Sequence, residues 1–185
     1  RKWLDLRYTS LSPAHKLDIY LPDDGDGPFP VILHIHGGGF AIGDKRDIHV
    51  LPFLKGLARG YAVVSVNYRL SGEAIFPVGL QDIKAAIRWL RANAEQYHLD
   101  GERIAACGGS SGGNYAAMIC LTAHVTEFDD PGLGNLEYPC NVQVAVDWFG
   151  PTDFLKMDEQ LEENGFGPSD HGEADSPESR YLGAK

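Results

Sequence analysis

The stretch "ACGGSSGGNYAAM" (residues 106–118) places two serines between two pairs of glycines. An apolar run leads into it and a helical pattern follows, so it predicts a strand, a very sharp turn and a helix. A serine at the tip of such a turn holds strained backbone angles, and glycines two positions before and after it let strand and helix cross closely. Gly108-Gly109-Ser110-Ser111-Gly112 fits this G-x-S-x-G pattern, and Ser110 is the predicted nucleophile.

The pattern also fits a frame shifted by one residue and centred on Ser111. Ser110 is preferred because Gly113 then lies where the helix must pass close to the sheet. The start of the helix offers free backbone N–H groups and a partial positive charge, which favour an oxyanion beside the serine. In a chain with 22 glycines the G-x-S-x-G pattern alone is weak evidence for a nucleophile, because it can arise by chance. Its position between a predicted strand and a predicted helix strengthens that evidence.

The surrounding sequence predicts an α/β fold. Residues 31–36 and 61–68 are dense in β-branched residues, as in parallel strands covered on both faces. A short helix over residues 49–59, ending at Gly60, separates them, and residues 78–97 form the clearest amphipathic helix. This alternation predicts a mostly parallel central sheet with helices on both faces and with the active loops at the carboxyl ends of the strands.

The two ends of the predicted sheet differ. Residues 3–10 and 15–22 alternate apolar and polar, as half-exposed antiparallel strands do. Residues 141–149 predict a buried strand that is apolar on both faces, and as an outer strand it would form a sticky edge. We therefore expect a second copy, a partner chain or further strands to cover it. No linker or repeat divides the chain, which predicts one domain over residues 1–185.

Composition and charge exclude several classes of protein. The chain has 185 residues, 43% of them hydrophobic, and a formal net charge of −10, which disfavours nucleic acid and anionic membranes as partners. No apolar run approaches the ~20 residues of a membrane-spanning helix. Cys107, Cys120 and Cys140 are odd in number and widely spaced, which indicates small core residues rather than a disulfide framework or a zinc site. Unpaired thiols slightly favour a cytoplasmic location for the protein, although the sequence leaves the compartment open.

A second glycine-rich stretch, "HIHGGGF" (residues 34–40), follows directly on a predicted buried strand. Its glycines let the backbone approach a ligand, and their N–H groups can serve as oxyanion donors. A phosphate-binding loop is disfavoured because its lysine is missing and the net charge is negative. His34 and His36 share one strand face, but no third ligand lies at convincing spacing, so packed structural histidines are expected. We expect neither a metal nor an organic cofactor.

Four stretches, "HGGGF", "VNYRLSGEAIFP", "GGSSGGN" and "DWFGPTDF", resemble in order and spacing the α/β-hydrolase carboxylesterases, especially the hormone-sensitive-lipase-like and feruloyl- or acetyl-esterase-like branch. The resemblance covers roughly residues 14–155. It implies an α/β-hydrolase fold and cleavage of small carboxylic esters through an acyl-enzyme on Ser110. Carried over by position, it also implies that Gly38, Gly39 and Ser111 supply the N–H groups of the oxyanion hole.

Two residues depart from that family pattern. Gly109 stands where one branch often has an acidic residue, and Ser111 stands where alanine is common. Neither change removes a catalytic group, but together they leave open which branch of the family the chain resembles.

The remaining members of a catalytic triad are not evident in the sequence. In α/β-hydrolases the chain order is nucleophile, acid and histidine, with the last two on loops after later strands. Asp147 lies within a predicted strand, Asp153 is expected to cap a turn or helix, and His171 is expected to be a solvated loop histidine. The sequence therefore predicts that the C-terminal strands, the triad acid and the histidine are missing, and that these 185 residues alone are inactive.

Two other functions stay open at this point. An amide or formamide hydrolase would use the same oxyanion geometry as an esterase. A non-catalytic member of the fold would bind a small molecule without a catalytic histidine.

Overall fold

The computed structural model describes residues 1–167 and 169–183. Six strands form one sheet in the order β1-β2-β4-β3-β5-β6. β1 pairs with β2 and β2 with β4 in antiparallel fashion, and the other three neighbouring pairs are parallel. The predicted mostly parallel sheet with antiparallel first strands is therefore observed. The strands are β1 (Lys2–Arg7), β2 (Lys16–Tyr20), β3 (Phe29–Ile35), β4 (Ala62–Val66), β5 (Leu99–Gly109) and β6 (Val144–Trp148).

The helices are α1 (Leu51–Leu54), α2 (Val78–Ala92), α3 (Ser111–Thr122), α4 (Met157–Glu163) and α5 (Pro177–Leu182). The helix predicted over residues 49–59 is broken into 3₁₀ turns on either side of α1, and it ends at Gly60 in the left-handed conformation, as expected. The helix predicted over residues 78–97 ends earlier, at Ala92.

Helices cover both faces of the sheet. On one face α2 and α3 pack on the larger apolar cluster, which includes Leu33 and Val64. On the other face a smaller cluster joins Phe53 of α1 to Val63 and Cys107. Since neighbouring residues of a strand point to opposite faces, Val63 and Val64 mark the two sides of β4. The β-branched run of this strand is buried throughout, as expected for a central parallel strand.

The last strand departs from the sequence-based prediction. The strand expected over residues 141–149 spans Val144–Trp148, and it forms the edge of the sheet. It is not buried: the exposed fractions are 51% for Val144, 44% for Trp148 and 83% for Phe149. The described residues include no strand that pairs with its outer side, so Val144 and Trp148 are partly exposed to solvent.

Residues after Pro151 contain more regular structure than their weak periodicity predicted. Ser176 caps the start of α5, since its hydroxyl accepts the Ser179 N–H, and Pro177 is the first residue of the helix. This helix buries Tyr181 against the core cluster. The segment thus closes over the carboxyl ends of the strands.

Two further observations concern composition. No helix in the described part of the chain is long and apolar enough to cross a membrane. Cys107 and Cys140 are buried as expected, but Cys120 is exposed on α3, contrary to the prediction of three core cysteines.

Candidate active site

Ser110 occupies the corner between β5 and α3. Its backbone angles are φ 56° and ψ −129°, a conformation that non-glycine residues seldom adopt. The Ser110 N–H donates to the Trp148 carbonyl at 2.9 Å, and the Asn114 N–H donates to the Ser110 carbonyl at 3.1 Å. The strained corner is therefore held from the neighbouring strand and from the first turn of the helix.

Glycines surround this corner because backbone passes directly against it. A Cβ on Gly112 would collide with the Ile35 carbonyl and lie 2.8 Å from the His36 oxygen. A Cβ on Gly108 would lie 2.7 Å from the same Ile35 oxygen. The β5–α3 corner thus packs on the end of β3, which is the physical reason for glycine at these two positions.

The glycine-rich loop after β3 lies beside Ser110. A Cβ on Gly37 would be 3.4 Å from the Cβ of Ser110. Gly38 and Gly39 have φ values of 122° and 57°, which glycine adopts without strain. Within the described residues the N–H groups of Gly38, Gly39 and Ser111 donate no hydrogen bond. Three backbone N–H groups without an acceptor therefore belong to the loop beside Ser110 and to the residue that follows it.

Aromatic rings fix the glycine-rich loop at both ends. The ring of Phe40 is buried and stacks on Tyr181 with centroids 3.9 Å apart. The ring of His36 stacks on Tyr68 at 4.5 Å, and the Tyr68 hydroxyl donates to the His36 carbonyl at 2.8 Å. These contacts anchor the loop to the core on both sides of its three glycines.

His34 and His36 are buried and packed against neighbouring side chains. His34 is buried, and its Nδ1 lies 2.9 Å from the Ser65 hydroxyl. Burial lowers the pKa of His34 to about 3, and burial also lowers the pKa of His36. Both rings are therefore neutral at physiological pH. Among the residues with described positions, no group of three His, Cys, Asp or Glu side chains could hold a metal ion.

A buried ion pair supports the segment that follows β4. Arg69 donates to Asp82 from Nε at 2.9 Å and from Nη2 at 2.6 Å, and its backbone N–H donates at 2.9 Å. His15 Nε2 lies 3.1 Å from the same carboxylate. Burial would raise the pKa of Asp82, but the hydrogen bonds from His15 and Arg69 outweigh it and lower that pKa.

Two cavities meet at Ser110. The first, of about 470 Å³, lies on the α1 side, and we call it the Trp148 cavity. Most of its wall is apolar, which suits a hydrocarbon or aromatic group. Its lining includes His34, Gly38, His49, Phe53, Ser110 and Trp148.

The second cavity, of about 460 Å³, lies under α4 and α5, and we call it the Glu178 cavity. It combines apolar side chains with polar groups. Its lining includes Gly39, Phe40, Ser110, Phe149, His171 and Glu178.

His171 is not the solvated loop histidine that the sequence predicted. Its Nδ1 lies 2.8 Å from Asp158 Oδ1, and its backbone N–H donates to the same oxygen at 3.0 Å. The Gly172 N–H donates to the other carboxylate oxygen at 3.1 Å. Bonds from the backbone and ring of His171 lower the pKa of Asp158. The ring is half-buried because α4 and the loop after it fold over the Glu178 cavity.

No described histidine or carboxylate hydrogen bonds to the Ser110 hydroxyl. Asp147 accepts the Gly150 N–H at 2.7 Å in the turn after β6. Asp153 accepts the Leu155 N–H at 3.2 Å, so its predicted capping role is confirmed. His171 shares a cavity with Ser110 without contacting it.

Sequence reasoning considered His171 but interpreted it as a solvated loop residue, and it missed Asp158 and Glu178. Asp158 and His171 are separated by a loop, and no periodic pattern connects them. Glu178 could have been found, because Ser176-Pro177 is a typical helix start and predicts an acidic residue in the first turn.

Comparison with known proteins gives close relatives among esterases. The chain is 34% identical over 160 residues to the probable carboxylic ester hydrolase LipM of Mycobacterium tuberculosis, covering 85% of this chain and 36% of LipM. The solved structure of a bifunctional GH43-CE from Bacteroides eggerthii matches with a TM-score of 0.86 and 34% identity, over 98% of this chain and 26% of that one. A truncated carbohydrate esterase from gut microbiota matches with a TM-score of 0.85 and 33% identity, over 100% and 66% of the two chains.

These likenesses confirm the predicted α/β-hydrolase fold and the resemblance to carboxylesterases. The chain spans about a third of the length of LipM. The model of the BD-FAE family matches residues 17–185, which is most of the sequence, and the chain therefore belongs to the BD-FAE family.

Proposed function

We propose that the protein containing this chain is a serine hydrolase of small carboxylic esters, with Ser110 as its nucleophile. The observation that carries the proposal is the strained Ser110 corner standing against the glycine-rich loop. Such a corner presents a serine hydroxyl at the carboxyl end of the sheet, where α/β-hydrolases carry out their chemistry. The names of the relatives support the same proposal: LipM is a probable carboxylic ester hydrolase, and one matched structure is a carbohydrate esterase.

The proposed reaction has two halves. Ser110 Oγ attacks the ester carbonyl and gives a tetrahedral oxyanion, which then expels the alcohol and leaves an acyl-enzyme. Water attacks the acyl-enzyme and releases the acid. The N–H groups of Gly38, Gly39 and Ser111 are the proposed oxyanion donors, since they are otherwise unused and belong to the segments around the serine.

A serine alcohol requires a base to remove its proton. Because no described imidazole contacts Ser110, and because the matched relatives are much longer than this chain, we propose that the histidine and acid of the triad come from a part of the protein outside these 185 residues. The 185 residues alone would then lack most of the activity.

Full-length protein treated with a fluorophosphonate probe tests the assignment. Ser110 should be labelled, and p-nitrophenyl acetate should be hydrolysed. Ser110→Ala should abolish labelling and lower hydrolysis by several orders of magnitude. Ser10→Ala, which changes an exposed serine, is the matched control. Equal labelling of Ser110→Ala and wild type would refute the nucleophile.

The same protein distinguishes the two alternative functions. Faster cleavage of N-formyl amides than of matched esters would indicate an amide hydrolase. Ligand binding without any covalent labelling would indicate a non-catalytic member of the fold.

A further inference from the structure

The Glu178 cavity contains a carboxylate that the reaction on Ser110 does not explain. Glu178 is 7% exposed, and its Oε2 is buried without a hydrogen-bond partner among the described residues. Buried carboxylates are normally paired or hydrogen-bonded, because losing hydration is costly. The donors that Glu178 needs must therefore come from outside the described residues, and Glu178 lines the cavity that a substrate on Ser110 would fill.

The start of α5 does not account for this carboxylate. An acidic residue in the first turn of a helix gains some favourable interaction with the helix dipole. However, α5 has only six residues, and Ser176 already accepts the Ser179 N–H at 3.0 Å. Glu178 also forms no ion pair within the described residues. Helix capping therefore explains neither its burial nor its position on the cavity wall.

His171 gives the cavity a second polar group with a fixed orientation. Its ring is held by Asp158 at 2.8 Å, and its carbonyl accepts the Ser176 hydroxyl at 2.7 Å. When Nδ1 donates to Asp158, Nε2 carries a lone pair and can accept a hydrogen bond. The other lining residues combine aromatic rings, among them Phe40 and Phe149, with the amides of Gln160 and Asn164. Polar groups placed among apolar side chains are typical of sites that fix ligand orientation.

We propose that Glu178 and His171 form a subsite that accepts hydrogen bonds from hydroxyl groups of the ester substrate. The subsite selects hydroxyl-bearing esters over apolar esters of the same size, because an apolar group would leave the buried carboxylate unpaired. The inference rests on the proposed function, since Ser110 lines the same cavity. The hydroxyl belongs to either the alcohol or the acyl part, and the experiment separates the two.

Two substrate pairs that replace hydroxyl by methyl test the subsite in the full-length protein. Glycerol 1-acetate against 2-methylbutyl acetate probes the alcohol part, and methyl 3-hydroxybutyrate against methyl 3-methylbutyrate probes the acyl part. Wild type should prefer the hydroxylated member of at least one pair by about tenfold or more in kcat/KM. Glu178→Leu should remove that preference, and Glu178→Gln should reduce it partly, since a neutral acceptor is weaker.

Glu162→Gln changes an exposed carboxylate of α4 and should leave both selectivity ratios as in wild type. No preference in wild type for either hydroxylated ester, or unchanged ratios in folded Glu178→Leu, would overturn the subsite. If the Glu178 variants fail to fold, the comparison of the two substrate pairs in wild type alone tests the subsite. Ser110 labelling and p-nitrophenyl acetate hydrolysis report separately on the proposed function. If both fail in wild type, the hydrolase assignment and the subsite are both wrong. If both succeed but the selectivity ratios of Glu178→Leu equal those of wild type, only the subsite is wrong.

Discussion

The backbone N–H of Ser110 donates to the carbonyl of Trp148 at 2.9 Å, so the tip of the β5–α3 corner is fixed to the end of the edge strand β6. Ser110 holds φ 56°, and such strain persists only where neighbouring structure enforces it. The position of the candidate nucleophile therefore depends on an edge strand that is largely exposed.

Gly112→Ala should damage both stability and activity. A Cβ there would collide with the Ile35 carbonyl, and that backbone is the end of a central strand and cannot move easily. We expect a loss of about 1–3 kcal/mol in the free energy of unfolding, measured by urea denaturation, and a loss of Ser110 labelling. Gly72→Ala is the matched control because a Cβ at Gly72 meets nothing within 4 Å. A Gly112→Ala protein as stable and reactive as wild type would contradict the observed packing.

Asp82→Asn should destabilise the protein by about 3–5 kcal/mol at neutral pH, because it leaves the charge of Arg69 without its buried partner. Urea denaturation measures the loss. Asp24→Asn, at an exposed aspartate without a hydrogen bond in the described chain, serves as control and should change little.

The same variant predicts a pH dependence with a definite sign. The pKa of Asp82 is lowered from its ordinary value of 3.8 in the folded state. The stabilisation from its charge is therefore present above about pH 4 and is lost as the pH falls through the lower, folded-state pKa. The stability gap between wild type and Asp82→Asn should narrow below about pH 4. A gap that stays constant or widens on acidification would contradict this assignment.

His171→Gln distinguishes a substrate-binding histidine from a catalytic base. We expect p-nitrophenyl acetate hydrolysis by the full-length protein to fall by less than about tenfold, whereas removing a triad histidine costs several orders of magnitude. Ser110 labelling should persist. A loss as large as that of Ser110→Ala would instead identify His171, held by Asp158, as the base.

The edge strand predicts self-association of residues 1–185 when they are produced alone. Val144 and Trp148 leave apolar surface and unpaired backbone at the edge of the sheet. Light scattering after size exclusion should show oligomers, and Val144→Lys should shift them towards monomer. Leu11→Lys, which adds the same charge away from β6, should not. A monomeric segment at all concentrations would show that this edge needs no cover.

Local sequence signals were sufficient for the centre of the fold. Runs of β-branched residues predicted β3 and β4, because buried parallel strands favour such residues. Gly60 predicted the end of the helical segment between them, because the left-handed conformation at a helix end favours glycine. Ser110 was predicted from the glycines around it, since these positions lack a Cβ where the β5–α3 corner packs against neighbouring backbone. These features depend on residues close together in sequence.

The cavity walls could not be predicted in the same way. α5 is short, and much of its stability comes from packing Tyr181 on Phe40, a contact between residues far apart in the chain. The pair of Asp158 and His171 likewise depends on how α4 folds over the sheet. The exposure of β6 was missed because its residues are apolar on both faces, and composition does not reveal which strand is outermost.

The stacking of Phe40 on Tyr181 ties the loop of proposed oxyanion donors to the helix that carries Glu178. The proposed oxyanion donors and the proposed Glu178 subsite therefore depend on the same contact between two rings. An engineer who exchanges residues 157–182 for those of another esterase should expect turnover to change together with selectivity, unless the graft keeps an aromatic ring facing Phe40.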